Sequence, residues 1–205
     1  MHLPGIHKWY NRCVSDSLYL AAMPFVVKPT RLSDVLLIEP TLYPDARGYF
    51  YEAFNERDFC SLIGRTVHFV QDNRSLSHRG VVRGLHYQLP PYAQAKLVSC
   101  IEGAVFDVAV DLRAASPTFG QWVATLLSQD NHRACWIPEG FAHGFVALTE
   151  PARLHYKTNA YWNKSAERSI AWNDDTLAID WPEGLTYQSS EKDAAACAFS
   201  QADTF

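Results

Sequence analysis

Residues 23–205 predict a mainly β, jelly-roll domain with a few short helices. Short strand-like segments recur at intervals of about 8–12 residues with turn residues between them. The clearest, Val105 to Leu112, alternates: Phe106, Val108 and Val110 face one way, Asp107 and Asp111 the other. Only one short helix is legible among these segments, which favours a jelly roll or sandwich over a βαβ arrangement.

Taken in order, residues 1–22 show neither alternation nor caps and read as a loosely ordered extension. Leu18 to Val27 is moderately apolar, but Pro24 interrupts it and no strongly basic run precedes it, so it does not read as a signal peptide. Strand character begins at Phe25–Val27 and returns at Asp34–Ile38. The helix follows: Asn55 is a good N-cap, Phe59, Leu62 and Ile63 share a face, and Gly64 stands where a terminating glycine belongs. Ala134–Ile137, Gly144–Leu148 and Arg153–Thr158 are further strands. Turns fall at Pro90-Pro91, Glu102-Gly103, Ser116-Pro117, Pro138-Glu139-Gly140 and Trp172-Asn173-Asp174.

Composition narrows the function. At 205 residues, 48% apolar and 20% charged, the chain suits one well-buried soluble domain. A net charge of -4 gives no nucleic-acid or membrane footprint, and no apolar run approaches a membrane span. The five cysteines are scattered without CxxC spacing, so they read as reduced thiols of a cytoplasmic protein.

Gly80 to Gln88, followed by Gln94 and Lys96, gathers one histidine (His86), two cations (Arg83 and Lys96) and two glycines. A side chain titrating near neutrality beside cations suits proton removal next to a carbonyl; a structural strand histidine is the alternative. In a regular strand Val82, Gly84, His86 and Gln88 share a face and Arg83 points away. For Arg83 and His86 to serve one pocket the strand must kink, and Gly84 permits it; otherwise Gly84 merely relieves crowding.

Other candidates are weaker alone. Arg47 and Glu52 flank a glycine bend, and taken alone they read first as a surface ion pair. Gln71-Asp72-Asn73 offers amides for a base or sugar, or a plain turn. His143 follows the Pro138–Gly140 turn, and Leu154, Tyr156 and Thr158 alternate against His155 and Lys157. Ser190 to Asp193 is a charged run of the kind that is normally solvated. Pro138 to His143 also matches half of a metal-binding cupin motif. Two separated histidines beside Lys96 make a poor divalent-ion site, so no metal is expected.

Together, in this order, these segments resemble the dTDP-4-dehydrorhamnose 3,5-epimerase family. The matching residues include Asp45-Ala46-Arg47-Gly48, Gln71-Asp72-Asn73, Arg83-Gly84-Leu85-His86, Lys96-Leu97-Val98 and Ser116 to Gly120. Glu52, Gln94, Gly103, Asp107-Val108, Val110-Asp111, Trp136-Ile137-Pro138, Gly140 to Phe145, Tyr156-Lys157 and Lys192-Asp193 complete the pattern, which runs from about Val26 to Phe199. The resemblance implies a cupin-type jelly-roll barrel, homodimeric, without metal or organic cofactor. Its implied substrate is dTDP-4-dehydro-6-deoxy-D-glucose, inverted at C3 and C5 to dTDP-4-dehydro-L-rhamnose. By the same transfer His86 is the base, Asp193 its orienting carboxylate, Lys96 the cation facing enolate charge, and Tyr156 the proton donor. Arg47, Glu52, Gln71, Asp72, Asn73, Arg83, Lys96, His143, Glu167 and Lys192 fall where the family contacts sugar, diphosphate or base. Tyr43 and Tyr161 fall where it stacks aromatics on thymine, with one partner contributed by a neighbouring subunit in some arrangements.

Rival readings on the same scaffold are a C3-only or C5-only epimerase and a 3,4-ketoisomerase. Outside that class stand a non-catalytic sugar-binding cupin, which predicts no exchange of substrate protons, and a metal-dependent oxygenase, which predicts sensitivity to chelators.

Overall fold

The computed structural model describes residues 24–205; the extension expected over residues 1–22 lies outside the described residues. Two antiparallel sheets face each other. One runs β1 (Phe25–Pro29), β2 (Leu36–Pro40), β10 (Ala134–Ile137), β7 (Lys96–Glu102), β12 (Ala152–Thr158) and β5 (Gln71–Ser77). The other runs β13 (Glu167–Ser169), β6 (Val82–Gln88), β11 (Phe141–Ala147), β8 (Ala104–Asp111) and β9 (Trp122–Ser128). A separate hairpin pairs β3 (Tyr43–Asp45) with β4 (Gly48–Phe50). The mainly β expectation is met, with only two short α-helices, α1 (Glu56–Ile63) and α2 (Glu191–Ala194), and one 3-10 turn at Phe199–Gln201 among the described residues.

Three apolar clusters make the molecule thicker than a simple two-sheet sandwich. Val98, Leu154, Ala109, Leu127, Phe141 and Phe145 fill the space between the sheets. Phe59 of α1 joins Phe25, Ile38, Leu97 and Trp136 on the outer face of the six-stranded sheet. The helix is bounded as its sequence indicates: the Asp58 N–H donates to Asn55 Oδ1, and Gly64 closes it at φ +71°.

The outer face of the five-stranded sheet is covered by the C-terminal segment. Ile170, Leu177, Ile179, Trp181, Phe199 and Phe205 pack there against Leu85, Val108 and Val110. The alternation of β8 is therefore real, but both of its faces are covered. Its apolar set faces this outer layer, whereas Asp107 and Asp111, both essentially without solvent exposure, lie on the opposite face. Asp111 sits in an inward corner, where its carboxylate accepts from Arg113, Ser116 and Thr118. β11 begins at Phe141, three residues before the expected Gly144, because Phe141 to His143 already pair with β8.

β6 carries the feature that shapes the site. His143 of β11 pairs with His86, but Phe145 pairs with Arg83, so three steps on β6 oppose two on β11. This bulge reverses the side-chain parity between Arg83 and His86 and brings both to one side of the strand. Gly84 makes it feasible: its φ is +132°, and a Cβ there would lie 2.5 Å from the Gly144 Cα.

Candidate active site

A cavity of about 200 Å³ opens between the sheets. Arg83 and His86 reach it from β6, His143 from β11 and Glu167 from β13. Lys96 and Tyr156 reach it from β7 and β12 of the opposite sheet. The period-two alternation of β12 puts Leu154, Tyr156 and Thr158 on the inner side and His155 and Lys157 on the outer side.

His86 Nε2 lies 2.5 Å from Asp193 Oδ1, although 107 positions separate the two residues. The C-terminal segment closes this distance by local pairing: Val82 N–H donates to the Gln188 carbonyl and Gln188 N–H to the Gly80 carbonyl. α2 follows, capped by Ser190, whose hydroxyl accepts from the Asp193 N–H. Burial acts to raise the Asp193 titration, but hydrogen bonding to His86 and its charge, with help from Ser190, leave it lowered overall. With a carboxylate accepting at Nε2, that nitrogen carries the proton and Nδ1 keeps the lone pair.

A second imidazole lies beside the first. His143 Nε2 is 2.7 Å from Asp107 Oδ1, and burial outweighs Asp107 in pulling the His143 titration down. Lys96, 6% exposed, donates to the His86 carbonyl at 3.1 Å. Burial lowers its ammonium to about 8 against the opposing charges of Asp107 and Glu167. Burial also raises the Tyr156 phenol, which keeps it protonated. Glu167 is held down, against its burial, by Lys192 at 2.7 Å and by the Trp162 side chain, so Lys192 sits at the rim through this pair.

Six sequence candidates thus converge on the cavity: Arg83, His86, Lys96, His143, Tyr156 and Glu167, with Asp193 behind and Lys192 at the edge. Others do not. Asp72 projects to the outer face of β5 and pairs with Lys157 at 2.9 Å, because adjacent strand residues alternate sides. Gln71 and Asn73 share the inner parity but bond to each other outside the cavity lining. Arg47 is exposed and pairs across its own turn with Asp45, not with Glu52 as the ion-pair reading had it. Tyr43 stands exposed on the same hairpin, and Glu52, beyond it, keeps Oε1 buried without a hydrogen-bond partner. Tyr161 points outward, 67% exposed, while its neighbour Trp162 lines the cavity. Sequence reasoning missed Trp162, Ser75 and Phe145 as lining residues, and gave Asp107 no role. Two signals reach Asp107, its inner parity on β8 and its place in the family pattern, but neither gives it a function. Among the described residues no group of three or more His, Cys, Asp or Glu is placed to hold a metal ion.

The family model described as dTDP-4-dehydrorhamnose 3,5-epimerase matches residues 29–201. Relatives of that name from Pseudomonas aeruginosa and Shigella flexneri are 55% and 53% identical, over 87% and 86% of this chain and 99% and 97% of their own lengths. The chain is similar to dTDP-6-deoxy-D-glucose-3,5-epimerase from Legionella pneumophila, solved in complex with dTDP-4-keto-L-rhamnose. That likeness has a TM-score of 0.84 at 50% identity, over 87% of this chain and 95% of the other. A 3'-monoepimerase from Streptomyces bikiniensis, in complex with dTDP-quinovose, matches with a TM-score of 0.79 at 33% identity, over 83% and 86%.

Proposed function

The chain belongs to the dTDP-4-dehydrorhamnose 3,5-epimerase family, and we propose that it converts dTDP-4-dehydro-6-deoxy-D-glucose to dTDP-4-dehydro-L-rhamnose by inverting C3 and C5. The observation that carries this reading is the approach of His86 and Tyr156 to one cavity from opposite sheets, with Lys96 beside them.

His86 Nδ1 removes the proton from a carbon flanking the C4 ketone. The C–H electron pair enters the carbon–carbon bond, and negative charge grows on the C4 oxygen, where the Lys96 ammonium offsets it. Tyr156 returns a proton from the other side, so the centre emerges inverted. The resulting phenolate and imidazolium recover their starting states by proton exchange with solvent. Asp193 keeps the His86 ring oriented and stabilises its cationic form. Arg83 and Lys192 suit the diphosphate by charge, and Trp162 or Tyr161 offers an aromatic face to thymine. An ammonium supplies the charge stabilisation this reaction needs, so the proposed chemistry uses no metal or organic cofactor.

The hairpin of β3 and β4 supports a homodimer. It turns Arg47 away from the chain's own cavity and exposes Tyr43, Tyr49 and Phe50, a composition suited to a partner's site. We assign the enzyme to the cytoplasm, where it supplies a deoxysugar nucleotide for surface polysaccharide. The four described cysteines are free, in keeping with a reducing compartment, and no described helix is long and apolar enough to cross a membrane.

Incubation with dTDP-4-keto-6-deoxyglucose in heavy water, followed by NMR, tests the reading. Deuterium is expected at both C3 and C5. Label at C3 alone would make the protein a monoepimerase, and no label would leave a binding module.

A further inference from the structure

Behind the cavity, the pair His143–Asp107 occupies barrel interior that the chemistry above leaves without a role. The Asp107 side chain has no solvent exposure, and one oxygen receives the His143 ring at 2.7 Å. The other oxygen, Oδ2, is buried without a hydrogen-bond partner. A carboxylate in such a dry place is tolerated where a cation answers it. Lys96, 6% exposed, lines the same cavity as the His143 ring that Asp107 holds, and it is a cation that the Asp107 charge favours.

The charged and titratable groups around Lys96 are Arg83 and His86 on β6, Asp107 on β8, His143 on β11, Tyr156 on β12 and Glu167 on β13. The carboxylates are not equivalent. Glu167 is shared with the Lys192 ammonium, and Asp193 behind β6 is engaged by His86. Asp107 has only a buried imidazole on one of its oxygens. We propose that Asp107 is a positioning residue: it anchors the His143 ring and supplies the counter-charge that keeps the Lys96 ammonium protonated beside the reacting ketone. The proposal rests on the reading of Lys96 as the group facing enolate charge.

The sign follows from the charges. A neighbouring anion favours the ammonium, so removing it makes Lys96 lose its proton at lower pH. Asp107→Asn keeps an acceptor for the His143 N–H while deleting the charge. The basic limb of its kcat–pH profile should move down by about one unit or more, with KM changed less than about threefold. His143→Asn disturbs the ring contact but leaves the carboxylate, and its basic limb should stay within about 0.3 unit of the unaltered protein. An unmoved limb in Asp107→Asn, or an equal shift in both variants, overturns the proposal.

NMR of Lys96 in the unaltered protein, labelled at Cε of lysine, decides the matter should Asp107→Asn fail to fold. An ammonium persisting at pH 7 supports the counter-charge, and a neutral amine there overturns it. Solvent exchange at C3 and C5 separates the two readings: an unaltered protein without exchange sinks both, whereas an active protein with an unmoved limb sinks only the role of Asp107.

Discussion

His86 and Tyr156 sit on facing walls, on β6 and β12, and their losses should leave different isotopic records. Without an imidazole at 86 no proton leaves either carbon, so His86→Ala should abolish deuterium incorporation at both C3 and C5. The expected fall in rate is about 10²–10⁴-fold, the usual worth of a general base. Exchange retained at either carbon would point to a second base. Tyr156→Phe removes only the return path from the opposite wall. Net inversion, followed by NMR of the product sugar, should then suffer more than exchange of the proton first removed. Equal losses would strip Tyr156 of its donor role. Asp193 supports this chemistry from a position no local pattern could reveal: Ser190 to Asp193 looks like a solvated charged run, yet Asp193 is 4% exposed.

The bulge in β6 is where a strand departs from its own periodicity to build a site. Arg83 and His86 are an odd number of positions apart, so a regular strand would send them to opposite faces. Gly84→Ala tests the device. The added methyl would meet the Gly144 Cα at 2.5 Å and the His143 carbonyl at 2.9 Å, on a backbone whose φ disfavours side chains. A loss of about 1–3 kcal/mol in denaturant unfolding is expected, typical of overpacking against main chain. Because Arg83 would lose its place at the cavity, KM should also rise. Wild-type stability with unchanged KM would show that the kink does not need a glycine. The same periodicity divides another candidate: Gln71-Asp72-Asn73 reads as one polar triplet, but on β5 its middle member faces away from the other two. Helix α1, by contrast, was readable end to end, because a cap, a three-residue apolar face and a closing glycine are all local.

Across the molecule, the exposed hairpin ties the catalytic proposal to assembly. If Arg47 completes the partner's cavity, each site of a homodimer combines His86 from one chain with Arg47 from the other. Arg47→Ala and His86→Ala proteins, each inactive alone, should then complement when refolded together. Statistical mixing makes half the dimers mixed, each with one intact site of two, so about a quarter of wild-type activity is expected in a steady-state assay. Failure to recover activity, with mixed dimers confirmed by mass spectrometry, would place Arg47 outside the partner's site.

The linear order of residues was enough for the mainly β architecture, the capped helix, the alternation of β8 and β12, and a family pattern running through His86, Lys96, Tyr156 and Asp193. Those features depend on neighbours a few positions apart, whose spacing sets which side chains share a face. Which face becomes the interior is a different matter. Ile170, Leu177, Trp181 and Phe199 fold back over β8 and cover its apolar side, leaving Asp107 inside the barrel. The same return of the chain carries Asp193 to His86. Burial of apolar surface between distant segments drives these arrangements, and such burial leaves no periodic trace in a linear order of residues.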